Sequence, residues 1–329
     1  MSQQIFSPIF VSVHTREKHF RKCIESLQKC TDAKSTELYV SSDYYRNDEE
    51  KESVLSIRKY INSLKGFKKI NPIFFNKNVG LDHASRYSFN IIFNLHDSII
   101  IMEDDIEVSR LFLKYMNKAL NFYKNEPNVF SICGYSPFLL GNNYFEHDYI
   151  FKGNGWNGWG FGIWKTKFNS FLDFRDSSEL FSDIKINIGS GTFRKKLDNI
   201  SLEYYPHLLY SIKQKIIPEF DYLAGYYCLT NNFINIYSTK SFTINTGNDG
   251  SGLRAQKNND IILKMNVEAL TNEIPEFKKL NDLKLEEKLP YYSANRLIIF
   301  LKILLIKLKL FKMGKNTHKI FYEFKNKFK

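Results

Sequence analysis

Four cysteines are all that the chain contains, Cys23, Cys30, Cys133 and Cys228, and none forms a CxxC pair. That excludes a disulfide framework and leaves four buried thiols of a reducing compartment. No GxGxxG and no GxxxxGK[ST] occurs, so neither a dinucleotide fingerprint nor a P-loop is present. There is no internal repeat and no Pro/Gly/Ser-rich linker. The first residues, Met1 to Ile5, carry neither a basic n-region nor an apolar h-region, and the expectation is a cytoplasmic chain. A surplus of positive charge is also lacking over most of the length. The net charge is +12, but residues 296–329 hold ten Lys/Arg against Glu323 alone, a surplus of nine that leaves only +3 for the rest. A nearly neutral body lacks the basic patch of a nucleic-acid binder, so no nucleic-acid partner is expected.

What is present is a globular composition, 43% hydrophobic and 16% aromatic over 329 residues, enough for one large domain or two small ones. The first half alternates apolar runs with amphipathic segments. Strands are expected over 8–13, 37–42 and 69–75, with helices over 16–30, 47–65 and 80–95. An apolar strand, Ser98 to Met102, then runs into three consecutive carboxylates, Glu103, Asp104 and Asp105. A helix over 110–124, with Ser109 as a possible N-cap, and a strand over 128–135 follow. This βαβ order with short connections implies a mostly parallel sheet.

Ligands of open α/β sheets sit beyond the carboxyl ends of the strands. Thr15, Arg16, Asp43 and the acidic triplet all fall at such ends. Three adjacent carboxylates call for a cation, and oxygen ligands suit Mg²⁺ or Mn²⁺. The rival reading is an acidic turn before a helix start. Arg16 could pair with a diphosphate, and Asp43 could accept from a base or ribose. Further on, residues 153–164 gather Trp156, Trp159 and Trp164 among five glycines. Exposed aromatic faces there would suit sugar rings, against an aromatic core cluster with Trp164 inside it. Asp221 falls in the first turn of a possible helix, a strand is expected over 233–237, and 245–252 reads as a closing loop. Leu297 to Met313 is apolar but interrupted by Lys302, Lys307, Lys309 and Lys312. A basic amphipathic helix on an anionic lipid surface fits better than a spanning one, with partner binding or packing on the body as alternatives.

In this order the segments Thr15-Arg16, Ser42-Asp43, Leu81 to Tyr87, Ile101 to Val108 with Phe112 to Tyr115, Trp159 to Trp164 and Asn245 to Gly252 resemble GT-A glycosyltransferases related to N-acetylglucosaminyltransferase I. Bacterial sugar transferases that build surface polysaccharides, including lipopolysaccharide, are also similar. The resemblance spans about 8–255. It implies a Rossmann-like GT-A catalytic domain over 1–290, with a nucleotide-binding half (1–135), an acceptor-side half (136–290) and a helical tail (291–329). It also implies Asp105 as metal ligand and Glu103 and Asp104 as contacts to donor sugar and nucleotide. Arg16 and Asp43 would hold the nucleotide, and His83, Arg86 and Tyr87 would face the donor. Asp221 would be the base, with Glu219 a competitor because Phe220 replaces the family's Trp. Trp156, Trp159 and Glu219 would meet the acceptor or sugar, and Asn248 and Asp249 would close over the donor. The implied reaction is metal-dependent inverting transfer from a UDP-sugar to a glycan, lipid-linked or otherwise, by a peripheral protein on the inner membrane face. Rival activities are a sugar nucleotidyltransferase and a non-catalytic glycan-binding or scaffold protein.

Overall fold

The computed structural model describes residues 6–139, 148–247, 249, 273–286 and 296–308. The chain forms two compact units. The first comprises residues up to Lys152, Asn157–Asn169 and Asn235–Lys284; the second comprises Gly153–Trp156, Ser170–Ile234 and the chain from Leu285. The units interleave along the sequence, where consecutive halves were expected.

In the first unit β1 (Ile9–Val13), α1 (Glu17–Gln28), β2 (Glu37–Ser42), α2 (Asp48–Ser63), β3 (Lys69–Phe74), α3 (Leu81–Phe93) and β4 (Ser98–Glu103) alternate. β5 (Ile106–Val108), α4 (Phe112–Phe122), β6 (Val129–Cys133), β7 (Ile150–Gly153) and β8 (Phe161–Trp164) follow, and β9 (Ile234–Ser238) and β10 (Thr243–Asn245) return from the far side of the sequence. Within this unit the large sheet runs β7-β9-β6-β8-β4-β1-β2-β3. β1 is parallel to β2 and β4, and β2 is parallel to β3. β8 lies antiparallel between β4 and β6. The result is an α/β architecture around a mostly parallel sheet.

The central strands are apolar on both faces because helices cover both. Ile9, Val11, Leu38, Val40, Ile99 and Ile100 are fully buried. α1 turns Phe20, Cys23, Ile24 and Leu27 inward at the helical spacing, and α2 does the same with Val54, Ile57 and Ile61. Asn47 caps α2, its side chain accepting from the Glu50 N–H at 3.1 Å. Ser109 does not cap the next helix: α4 begins after Leu111, and the Ser109 hydroxyl is buried without a hydrogen-bond partner among the described residues. Its carbonyl instead accepts from the Phe112 N–H at 3.0 Å.

The second unit is helical: α6 (Leu180–Gly189), α7 (Gly191–Ile200), α8 (Tyr204–Gln214), α9 (Phe220–Thr230) and α10 (Arg296–Lys307). α5 (Lys165–Arg175) runs into it from the first unit. α10 lies on α8. It buries Ile299 and Ile306, and with them Lys302, whose Nζ sits 2.8 Å from both carboxylate oxygens of Glu203. One face of α10 therefore packs on α8, and Lys302 on that face meets Glu203 and not a lipid headgroup. The other side of α10 leaves Phe300, Leu304 and Leu308 exposed. No helix among the described residues is long and apolar enough to cross a membrane.

Candidate functional site

The acidic triplet sits where β4 ends, and the pleat separates its members. Met102 points into the core, Glu103 is exposed, and Asp104 and Asp105 are buried in the turn into β5. The three carboxylates thus do not converge. The charge of the buried two is met by Arg16, just beyond β1. Its Nε lies 3.3 Å from Asp104 Oδ2, its NH2 contacts Asp104 Oδ1, and its NH1 donates to Asp105 Oδ2 at 2.7 Å. Arg16 was expected to face a diphosphate; here its guanidinium neutralises the carboxylates themselves. Burial pushes the Asp104 carboxyl up to about 6, with Arg16 opposing and Asp105 adding to the shift. The Arg16 guanidinium loses hydration on burial, but the two aspartates outweigh this and hold its pKa above the ordinary value.

Asp105 is fixed from the far end of the sequence. β10 pairs antiparallel with β5, Ile244 opposite Glu107. This brings Thr246 to Asp105, whose carbonyl accepts from the Thr246 N–H at 2.9 Å and its hydroxyl at 3.0 Å. Gly247 follows with no room for a side chain: a Cβ there would stand 1.9 Å from Asp105 Oδ2. The segment expected to close over a ligand therefore begins as a strand that grips the acidic turn. Asp249 in it lies 3.1 Å from Nε2 of His19; Asn248 is outside the described residues. The role of 243–247 was missed because nothing local in Thr243 to Gly247 says which strand it pairs with.

A divalent ion can be tested against this geometry. Asp105 Oδ1 is buried and has no hydrogen-bond partner among the described residues. A buried carboxylate oxygen left unmatched is costly unless something completes it. No group of three or more His, Cys, Asp or Glu among the described residues is disposed to hold a metal. The residues fit an ion held through one or two carboxylates and completed by phosphate and water oxygens, as Mg²⁺ commonly is. They do not fit an all-protein cage.

The remaining expected residues fall out as follows. Asp43 is buried, and its Oδ1 accepts from the Tyr44 and Val79 N–H groups at 2.8 and 3.0 Å, its Oδ2 from Gly80 N–H at 2.8 Å. The carboxylate thus ties the end of β2 to the start of α3, a bracing job the sequence did not show. Gly80 holds φ +81°, a conformation that favours glycine. Thr15 bridges β1 and α1, its carbonyl accepting from the Glu17 N–H at 3.1 Å. On α3, His83 and Tyr87 are exposed, Tyr87 meeting Phe75 edge-on at 5.5 Å, and Arg86 pairs with Asp82 at 3.3 Å.

The aromatic-glycine stretch divides differently from expectation. Trp156, expected as an exposed sugar platform, is buried, its ring 5.2 Å from Phe220. Packing against a phenylalanine removes it from any direct stacking role. Trp164, expected in the core, is half-buried. Trp159 is half-buried too and packs edge-on to Tyr135 at 4.7 Å. Two of the glycines serve close packing of protein on protein: a Cβ on Gly160 would stand 3.0 Å from Thr243, and one on Gly162 would stand 2.9 Å from Leu120.

Asp221 stands exposed in the first turn of α9, and Glu219 is the preceding N-cap residue. Nearby Tyr204 is pushed well above the ordinary phenol range by burial, with the charge of Asp221 adding to it. His207 stacks on Tyr222 at 3.8 Å.

No family model matches the chain, and no curated protein matches it. Solved structures do show a partial likeness. A mannosyltransferase from Pyrobaculum calidifontis, in complex with GDP-mannose and Mn²⁺, shares 11% identity over 57% of this chain and 53% of its own, at a TM-score of 0.36. Residues 1–349 of TarS from S. aureus share 13% identity over 68% of this chain and 69% of that one, also at 0.36. An LgtC active-site mutant shares 11% over 50% and 59%, at 0.29. The chain thus spans about half the length of the mannosyltransferase. Likeness at this level lends no weight to activity or mechanism, which rest on the residues.

Proposed function

We propose that the protein is a GT-A-type glycosyltransferase that moves a sugar, hexosyl or N-acetylhexosaminyl, from a nucleoside diphosphate donor, a UDP-sugar, to a glycan acceptor, inverting the anomeric centre. The observation that carries this is the buried Asp104–Asp105 pair at the carboxyl end of β4, with an unmatched Asp105 oxygen and a single arginine against it. A pair of buried carboxylates with one compensating guanidinium is a standing cost to the fold that a ligand site explains. The sequence resemblance to N-acetylglucosaminyltransferase I and to bacterial polysaccharide transferases supports the same reading.

In this reading Asp105 would hold Mn²⁺ or Mg²⁺. When bound, the ion would offset the charge on the departing nucleoside diphosphate. Arg16 would meet the donor phosphates, and Glu103 and Asp104 would meet donor sugar and nucleotide. Asp43 keeps the loop before α3 in place beside the base and ribose, and His83, Arg86 and Tyr87 face the donor. Asp221 takes the proton of the acceptor hydroxyl as it attacks, with Glu219 beside it on the acceptor side. Trp159 contributes an aromatic face for the sugar. Asp249 belongs to the segment that closes over the donor.

A thermal-shift panel of nucleoside diphosphates and nucleotide sugars, with and without Mn²⁺, tests the site. Ligand at ~100 times its Kd adds about 2.7 kcal/mol of stability. The expected outcome is a UDP shift that needs metal and vanishes in Asp105→Ala. A metal-independent shift, or one that survives Asp105→Ala, removes the metal role.

The acceptor side of the proposal is a lipid-linked glycan or capsule or lipopolysaccharide precursor, met on the inner face of the cytoplasmic membrane. Two features support it: the exposed Phe300, Leu304 and Leu308 on α10, and the lysine surplus of residues 296–329. Exchanging Lys312, Lys315, Lys319 and Lys325 for Glu should abolish cosedimentation with vesicles rich in anionic lipid. Equal cosedimentation of both forms would refute the membrane contact.

A further inference from the structure

The second unit contains a cavity of about 290 Å³ lined by Asn154, Lys196, Asn199, Leu229, Asn232 and Phe233, among others. It lies beside the carboxyl-terminal end of α9, where Cys228 and Leu229 line it. Cys228 follows Asp221 by seven positions, roughly 10 Å along a helix axis. The cavity is therefore a feature separate from the Asp221 end of α9.

Its polar lining is unusual for this unit. Other asparagines here are used internally: Asn187 donates to the Tyr226 hydroxyl at 2.8 Å, and Asn231 donates to the Tyr227 carbonyl at 3.0 Å. The side-chain amides of Asn154, Asn199 and Asn232 have no hydrogen-bond partner among the described residues, and Lys196 has no carboxylate partner there. Asn232 adopts φ +54°, a left-handed conformation that asparagine tolerates better than most residues. Three amides each offer two donors and an acceptor, which matches the mixed donor–acceptor character of sugar hydroxyls. The side chains of Ile200, Leu229 and Phe233 supply an apolar floor for a ring face. The lysine ammonium adds a point charge suited to an anion. The volume lies near the lower end of the roughly 300–1,000 Å³ typical of small-molecule sites.

We infer that this cavity is a saccharide-binding site for a sugar unit bearing an anionic group, carboxylate or phosphate. That sugar is a unit of the acceptor glycan remote from the hydroxyl that reacts. The inference rests on the proposed transferase reading for the origin of the glycan, but the binding itself does not depend on it.

Saturation-transfer NMR on the full chain tests the site, with methyl glucuronide, glucose 6-phosphate and methyl glucoside as probes and inorganic phosphate as a competitor that displaces them. An anionic sugar should bind at least about tenfold more tightly than methyl glucoside, the two anionic probes showing whether carboxylate or phosphate is preferred. Lys196→Glu and Lys196→Met should both erase that preference, and Asn199→Ala should weaken every sugar severalfold. Lys196 is exposed and Asn199 half-buried, and the melting temperature of each variant checks that the fold is kept. The inference is overturned by the absence of saturation transfer, by equal affinity for charged and neutral sugars, or by binding untouched in the Lys196 variants. Inorganic phosphate binding as tightly as the sugars also overturns it, since the site would then take an anion alone. The Mn²⁺-dependent UDP shift, measured on the same samples, separates the two readings. UDP binding without sugar binding fails this site only, and sugar binding without UDP binding fails the transferase reading only.

Discussion

Asp221→Asn is expected to lower kcat by about 10²–10⁴-fold, the usual worth of general-base assistance, while leaving Mn²⁺-dependent UDP binding where it is in the parent. The asparagine keeps the size of the side chain and its place in the first turn of α9, and the melting temperature checks that the fold is kept. What it loses is the ability to take a proton. Single-turnover transfer with saturating donor isolates this step from product release. The competitor is Glu219, two positions earlier at the helix N-cap. If Asp221→Asn keeps its rate and Glu219→Gln loses it, the base is Glu219. A parallel fall in donor affinity would instead place Asp221 in donor binding, and the base assignment would fail.

Gly247→Ala should be the most disruptive single methyl group that can be added to this protein near the acidic turn. The new Cβ would meet Asp105 Oδ2 at 1.9 Å and Cγ at 2.7 Å, so the carboxylate or the strand must move. Overpacking of this kind costs about 1–3 kcal/mol. Asp105 cannot swing away freely, because its carbonyl is held by both the N–H and the hydroxyl of Thr246, and its Oδ2 by Arg16. The expected result is a lower melting temperature together with loss of the metal-dependent UDP shift. Thr246→Val is the informative companion. It keeps the shape, removes one hydrogen bond and leaves Gly247 intact, and it should cost about 0.5–1.5 kcal/mol while UDP binding survives. A full UDP shift in Gly247→Ala would mean that the Asp105 side chain does not need its observed position to serve the site.

The alternation of strands and helices in the first half was legible because each element carries its own period. Expected strand 37–42 matches β2 residue for residue, and the inward residues of α1 are those the helical spacing named. Continuous apolar runs announced the buried parallel strands for the same reason. What could not be read was pairing at a distance. Nothing in Phe161 to Trp164 says that it inserts antiparallel between β4 and β6, and the Thr246 and Gly247 that frame Asp105 lie far from it in sequence. Burial was the second blind spot. Three adjacent carboxylates read as one cluster, whereas the strand pleat turns Glu103 outward and leaves Arg16 to meet the other two. Trp156, expected exposed, is buried, and Trp164, expected in the core, is only half-buried, because a tryptophan among glycines looks the same in sequence whether it faces solvent or Phe220. Asp43 read as a ligand residue by its place at a strand end, and the backbone N–H groups it accepts from could only be seen in three dimensions.

The pairing of Lys302 with Glu203 bears on how the protein can be shortened. A truncation that removes the lysine-rich end as a whole, from residue 296, would strip α8 of its cover and leave the Glu203 carboxylate without its cation beside newly bared apolar surface. Such a chain would be prone to aggregate for reasons unrelated to lipid, and its behaviour would say nothing about the membrane. Ending the chain just after Leu308 instead retains the helix, its ion pair and its buried isoleucines while discarding most of the positive charge.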